Sequence, residues 1–159
     1  MTGICVSAAP ASEVAVDTGG GPPWLDLVPE TASPGRARAW TRAVLVASDL
    51  RHLAGDAELV VSELVANAVQ ASSSAGVLDP VRVCLTPIGT QLLVQVRDAC
   101  PAFPVRRHPG VTDEAGRGLM IVEHIAAEIG CHPTPGMPGK VVWCLIAGDP
   151  AHGNRACGQ

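Results

Sequence analysis

The sequence predicts an α+β fold, and three of its segments carry that prediction. Apolar residues recur at helical spacing between residues 59 and 71, which indicates an amphipathic helix. Residues 81–85 and 92–96 alternate apolar and polar side chains on either side of a Pro-Ile-Gly-Thr turn, which is typical of a β-hairpin. A second helical pattern begins at Gly118. With 159 residues, the chain has the length of one domain.

The N-terminal half begins with a segment rich in Ala, Gly, Ser and Pro, so residues 1–23 are predicted to form a flexible arm. Residues 24–28 have the alternation of a short edge strand. Ser33 followed by Pro34 is typical of a helix N-cap, and the helix is predicted to run to about Leu53. Gly55 and Asp56 predict a break and a new cap before the next helix, and residues 71–76 predict a loop.

The C-terminal half begins with a strand pattern at residues 91–98 that ends in Asp98. Residues 99–115 contain three prolines and no apolar period, so they are predicted to form a lid. A helix is predicted for residues 118–129, an irregular connection or a short, poor strand around the prolines at 133–138, and a last strand for residues 140–146. The domain then spans residues 24–147, and residues 148–159 form a loose tail.

The helix at residues 59–71 also carries polar residues that share one face. Glu63, Asn67 and Gln70 are spaced i, i+4 and i+7, which places them on one side of the helix. A carboxylate one turn from a carboxamide offers a base beside a neutral oxygen ligand, and Mg²⁺ prefers oxygen ligands. Taken alone, the pattern is more often the solvated face of an amphipathic helix.

The segment Gly116-Arg117-Gly118 opens the second helix. Glycines at a helix start allow close approach of a ligand to the backbone, and the free N–H groups and the helix dipole there favour an anion. A lone Gly-x-Gly is equally consistent with an ordinary loop-to-helix turn. Asp98, at the end of its strand, has a similar ambiguity, because it is suited to accept a hydrogen bond from the amine of a base or to start a turn.

The order of these segments resembles the ATPase domain of the GHKL superfamily, the Bergerat fold. Within that superfamily the chain looks like the small bacterial branch of anti-sigma factor serine kinases. The resemblance covers about residues 24–147, and the closing strand matches at residues 139–143. It implies a two-layer α+β sandwich, with a mixed, mostly antiparallel sheet and helices on one face.

The resemblance also assigns roles to individual residues. Glu63 and Asn67 match the N box, in which Glu63 acts as the catalytic base and Asn67 binds Mg²⁺. Asp98 matches the acid that contacts adenine. Gly116, Arg117 and Gly118 match the second glycine box, which binds the phosphates, although Arg117 is as well suited to point into solvent. ATP and Mg²⁺ are therefore the implied cofactors.

One departure from the family pattern leaves two function classes open. The family's Asp is usually followed by a glycine-rich run, whereas residues 98–102 read Asp-Ala-Cys-Pro-Ala. The first class is an ATP-dependent serine kinase that phosphorylates an anti-anti-sigma (STAS-type) protein and alternately sequesters a sigma factor. The second is a non-catalytic, nucleotide-responsive protein-binding module. Glu63 and the Gly-x-Gly segment favour the first, and the glycine-free run favours the second. The resemblance further implies a homodimer.

Charge and hydropathy restrict the partners. The net charge is −4 and the pI is about 5.6, which argues against direct binding of nucleic acid through phosphate contacts. The sequence has no apolar run long enough to span a bilayer and no signal-peptide pattern, so a cytoplasmic protein without a membrane association is expected.

Two groups of basic residues have alternative interpretations. The first helix pattern and its continuation carry four arginines, and a solvated basic face is favoured over a docking surface for an acidic partner. These are Arg36, Arg38, Arg42 and Arg51. The predicted lid carries Arg106, Arg107 and His108, for which exposed loop positions are favoured over closure onto a γ-phosphate.

The six cysteines include no Cys-x-x-Cys pair, which argues against a zinc ribbon or a thioredoxin-type motif. Cys84 and Cys144 fall in apolar strand patterns and are predicted to be small buried hydrophobes. Cys100 is predicted to be the most reactive thiol if it is exposed.

Overall fold

The computed structural model describes residues 21–102 and 117–148, and this part of the chain forms an α+β domain. Two helices lie near its N-terminus, a third follows the central hairpin, and a single 3₁₀ turn at Arg51–Leu53 joins the first two. In chain order the elements are β1 (Trp24–Leu27), α1 (Ser33–Ala47), α2 (Ala54–Ala75), β2 (Val81–Ile88), β3 (Gln91–Asp98), α3 (Arg117–Ile125), β4 (Glu128–Pro133) and β5 (Lys140–Ile146).

The five strands form one sheet in the order β1-β2-β3-β5-β4. Every pairing between these strands is antiparallel, so the prediction of a mixed sheet is wrong for the described residues. For two of the four pairs the reason lies in the connections: β2 and β3 are joined by a two-residue turn, and β4 and β5 by six residues, whereas a parallel pair needs a longer crossover. Gly89, in the first turn, has φ 60°, as the primed hairpin turns require.

The core forms between α1, α2 and alternate residues of the strands. The predicted apolar face of α2 is confirmed, because Val60, Val61 and Val65 are fully buried. Helix α2 packs against α1 on one side and against β2, β3 and β5 of the sheet. The strands contribute small aliphatic side chains such as Val83 and Val94, also fully buried. The aliphatic core explains how a chain with 3% aromatic residues folds.

Helix α1 differs from its predicted bounds at both ends. Ala32 is the N-cap residue, and Ser33 lies in the first turn, where its hydroxyl donates a hydrogen bond of 2.5 Å to the Val28 carbonyl. The helix ends at Ala47 instead of Leu53, because Asp49 adopts a left-handed conformation with φ 57°. A chain that turns there cannot continue the helix.

Helix α2 is longer than predicted at both ends. It begins at Ala54, so Gly55 and Asp56 lie inside its first turn and do not break it. An acidic residue in the first turn is favoured by the helix dipole, and packing of α2 outweighs the cost of about 1 kcal/mol for a helical glycine. The predicted loop at residues 71–76 is instead the last turn, with Gly76 in the left-handed C-cap position at φ 65°.

The predicted helix at residues 118–129 is too long at its C-terminal end. Helix α3 ends at Ile125, and residues 128–133 form β4, which pairs with β5. In this strand Cys131 is buried and Ile129 packs against the core. The strand ends at Pro133, and Pro135 follows two residues later. At the opposite edge of the sheet, β1 is preceded by Pro22-Pro23 and followed by Pro29.

The remaining strand predictions are confirmed, with residues 91–98 and 140–146 forming β3 and β5. The predicted arm at residues 1–23 lies almost entirely outside the described residues, as do most of the predicted lid and the tail beyond residue 148. Among the helices of the described part, none has the length and hydropathy needed to cross a membrane.

Candidate functional site

Helix α2 positions two of the predicted site residues. Glu63 and Asn67 lie one turn apart on it and are both half-buried. The same helix packs against α3, which carries Gly118, and against β3, which ends at Asp98. The fold thus packs α2 against both of the other elements that carry predicted nucleotide-binding residues.

Gly118 brings the start of α3 against Glu63. A Cβ atom at Gly118 would lie 3.2 Å from Cδ of Glu63 and would overlap its Oε2. The missing side chain is therefore what permits α3 to approach the carboxylate of α2 so closely. A carboxylate at this position also interacts favourably with the positive end of the α3 dipole.

Asn67 offers a carboxamide oxygen beside the carboxylate of Glu63. Within the described ranges, no group of three or more His, Cys, Asp and Glu side chains is arranged to hold a metal ion. Mg²⁺ in phosphoryl-transfer sites typically takes only one or two protein oxygens and completes its shell with water and substrate phosphates. The donors on α2 fit a Mg²⁺ ion that arrives with a nucleotide, and they do not fit an all-protein cage.

Asp98 forms a buried ion pair that sequence reasoning missed. Its Oδ1 lies 2.9 Å from Nζ of Lys140, and the two side chains are 2% and 4% exposed. Oδ1 also accepts a hydrogen bond of 2.9 Å from the backbone N–H of Cys100. Nζ of Lys140 donates a further hydrogen bond of 3.2 Å to the Cys100 carbonyl, which closes a ring of contacts.

Gly139 allows the two strands that carry this pair to meet. Asp98 and Lys140 are direct partners in the β3–β5 register. Gly139 has φ 111°, and a Cβ atom there would overlap the Asp98 carbonyl and lie 2.8 Å from Cα of Ala99. The sequence distinguishes the start of β5 by a glycine directly before it and by the only lysine of the chain, but neither feature identifies Asp98 as the partner.

The other predicted site residues have mixed outcomes. Arg117 is the first residue of α3 and is exposed. Gly116 lies outside the described residues, as do the three basic residues of the predicted lid, Arg106, Arg107 and His108. Cys100 is only 4% exposed. Its predicted reactivity requires an exposed thiol, so that condition is not fulfilled.

The thiol groups of the sheet have raised pKa values. Burial raises the pKa of Cys131 to about 11 and that of Cys144 to about 12. Burial raises the pKa of the half-buried Cys84 thiol as well. The prediction of a buried Cys144 is confirmed, and the four cysteines of the described part are free thiols.

The basic face of α1 is partly neutralised. Arg42 makes a two-pronged ion pair with Glu58 of α2, with N–O distances of 2.8 and 2.7 Å, and this hydrogen bonding lowers the pKa of Glu58. Arg36 lies 2.8 Å from Glu30. Arg38 and Arg51 are exposed, as expected for a solvated face.

A five-stranded antiparallel sheet packed against α2, the helix that carries Glu63 and Asn67, is consistent with an ATPase domain of the GHKL type. The family model of the histidine kinase-like ATPase domain matches residues 29–145, and the chain belongs to that family. Membership implies binding of a nucleotide, usually with Mg²⁺. Comparison with curated protein sequences gives no significant match.

Proposed function

We propose that this protein binds ATP and Mg²⁺ through Glu63, Asn67, Asp98 and Gly118, and acts as a regulatory serine kinase of the anti-sigma factor type. The observation that carries the proposal is the contact of Gly118 with Glu63, one turn from Asn67. It supports the proposal because it brings the start of α3, which favours an anion, next to the residues proposed as base and metal ligand. The two-layer sandwich of the Bergerat fold belongs to the same proposal.

Two side chains of α2 have different roles in the proposed chemistry. Asn67 binds through its amide oxygen the Mg²⁺ ion that accompanies the nucleotide. Glu63 accepts the proton of the attacking hydroxyl, and such general-base catalysis is typically worth about 10²–10⁴-fold in rate. When bound, ATP would supply the phosphoryl group, and Mg²⁺ would neutralise part of the charge of its phosphates. The backbone N–H groups at the start of α3, beside Gly118, would bind the phosphates.

The proposed partners follow from the sequence resemblance. The hydroxyl would come from a serine of an anti-anti-sigma (STAS-type) protein, and the protein would alternately bind a sigma factor as a homodimer. A second function, a nucleotide-responsive binding module without turnover, is favoured by one observation. Asp98 is followed by no glycine up to residue 102, and its Oδ1 is already engaged by Lys140.

Isothermal titration of the full chain with a non-hydrolysable ATP analogue, with and without Mg²⁺, tests the proposal. Binding that strengthens with Mg²⁺ is expected, and Asn67→Ala should remove the Mg²⁺ dependence. Gln70→Ala is the matched control, because this exposed residue lies on the same face, about one turn further along α2. A folded sample that gives no heat at millimolar nucleotide contradicts the proposal.

A pull-down from the native organism, with and without ATP, tests the choice between kinase and binding module. A captured protein that gains phosphoserine in the presence of ATP supports the kinase. Capture that depends on ATP but leaves every partner unphosphorylated supports the binding module.

A further inference from the structure

Lys140 has an unusual place for a lysine. Lysine is seldom fully buried unless it is paired, and this one is 3% exposed. Its ammonium group contacts both the Asp98 carboxylate, at 2.9 Å, and the Cys100 carbonyl, at 3.2 Å. It therefore holds together the end of β3 and the first residues after it.

The ion pair fixes the position of Asp98. Burying a charge is costly unless it is paired, and Lys140 supplies that pairing at 2.9 Å from Oδ1. Together with the backbone N–H of Cys100, it fixes the orientation of the carboxylate. Both hydrogen bonds that the described residues make to this carboxylate end at Oδ1. Oδ2 is thus the atom that the pair leaves for a further donor.

We propose that Lys140 is a positioning residue that sets the base preference of the nucleotide site. By fixing the orientation of Asp98 through Oδ1, it presents Oδ2 to a purine with a 6-amino donor, adenine, in preference to one with a 6-oxo acceptor, hypoxanthine. The inference rests on the proposed function, because it assumes that Asp98 faces the base. A 6-oxo group would place an acceptor against an acceptor and leave the site's buried polar group unpaired.

Titration with Mg²⁺-ADP and Mg²⁺-IDP measures this preference, because the two ligands share every phosphate contact. The unmodified protein should prefer ADP by about tenfold or more, as expected where a site is built to pair with a base amine. Lys140→Met should reduce the ratio of the two affinities by about tenfold, since the Asp98 carboxyl then loses a partner at Oδ1 and becomes free to rotate. Lys140→Arg should restore most of the preference.

The ratio of the ADP and IDP affinities distinguishes a positioning role of Lys140 from a merely structural one. If Lys140 only stabilised the fold, Lys140→Met would weaken both ligands equally and leave the ratio unchanged, which would overturn the inference. Asn67→Ala is the matched control, because it should weaken both nucleotides and preserve the ratio. An unmodified protein that binds neither nucleotide refutes the proposed function itself. One that binds ADP and IDP equally refutes only the role of Lys140.

A second measurement needs no variant and covers the case in which Lys140→Met fails to fold. Because Lys140 is the only lysine, an amine-specific acylating reagent followed by peptide mass spectrometry reports on this one side chain. Lys140 should react more slowly than the N-terminal amine. Saturating ADP should slow its reaction by a further factor of about ten, because a bound ligand stabilises the folded state against the opening that exposes this side chain. A rate that rises or stays equal with ADP would show that Lys140 does not hold Asp98 in the complex.

Discussion

Gly118 lies against the carboxyl group of Glu63. Because glycine has no side chain, the start of α3 packs directly on the polar face of α2. The clash that a Cβ atom would make is with the far end of a flexible side chain, not with backbone. A larger residue would therefore displace the Glu63 carboxylate and leave the helices in place. A substitution at Gly118 is therefore expected to change the chemistry of the site more than the stability of the fold.

The first prediction uses that contact. Gly118→Ala should lower phosphoryl transfer by at least about tenfold, within the range typical for a misplaced general base. Its free energy of unfolding should change by less than about 1 kcal/mol, since alanine is the better helix former. Gly55→Ala, in the exposed first turn of α2 with no atom near its Cβ position, is the control and should retain full activity. Chemical denaturation and a phosphorylation assay measure the two quantities. Full activity in Gly118→Ala would show that the position of Glu63 is unimportant.

The second prediction separates binding from turnover on α2. Asn67→Ala should weaken Mg²⁺-dependent nucleotide binding, because it removes an oxygen ligand. Glu63→Gln should retain binding and abolish turnover, because the amide cannot accept the proton. Titration calorimetry and a phosphorylation assay on both variants check this. If both variants bind and turn over like the parent, the site lies elsewhere.

The third prediction concerns Gly139. Gly139→Ala should destabilise the fold by at least about 3 kcal/mol, because it combines a positive φ with a clash against the Asp98 backbone. Gly136→Ala is the matched control, with φ 69° and open space at its Cβ position. It should cost only about 1–2 kcal/mol, the cost of the left-handed conformation alone. Urea denaturation of both variants measures the difference, and equal destabilisation would rule out the close approach of β3 and β5 at this point.

The fourth prediction concerns alkaline pH. The folded-state pKa values of Cys131 and Cys144, about 11 and about 12, lie above the ordinary value of 9.0. The unfolded chain therefore loses these protons first, and this contribution to stability is complete below pH 9 and is lost as the pH rises toward 12. Unfolding free energies between pH 8 and 11 should fall less steeply in Cys144→Val than in the parent. All other residues are the same in the two proteins, so their effects cancel in the comparison. Parallel curves would contradict the deep burial of this thiol.

Local patterns predicted the elements whose determinants are local. The apolar period of α2 and the alternation of β3 and β5 each repeat within a few residues, so the buried positions could be identified from the sequence. Helix ends depended on tertiary packing, and for this reason α2 absorbs Gly55 and Asp56. Residues 126–129 were assigned to a helix because a short apolar run fits either period.

In the candidate site, too, local features could be predicted from the sequence and tertiary contacts could not. The spacing of Glu63 and Asn67 within one helix was visible in the sequence. The pairing of Asp98 with Lys140 was not, because it joins residues 42 positions apart and depends on the β3–β5 register. The contact of Gly118 with Glu63 likewise depends on how α3 packs on α2.

The prolines at the two outer strands restrict how this domain meets other proteins. Proline has no N–H group to donate to a neighbouring strand. The outer strand β1 has four residues and lies between Pro23 and Pro29, and β4 has six and ends in Pro133. An extended peptide that added itself to either edge would find a short ladder of hydrogen bonds with missing donors next to it. Growth of the sheet by strand addition is therefore disfavoured, and we expect recognition of partners to use side chains of helices and loops.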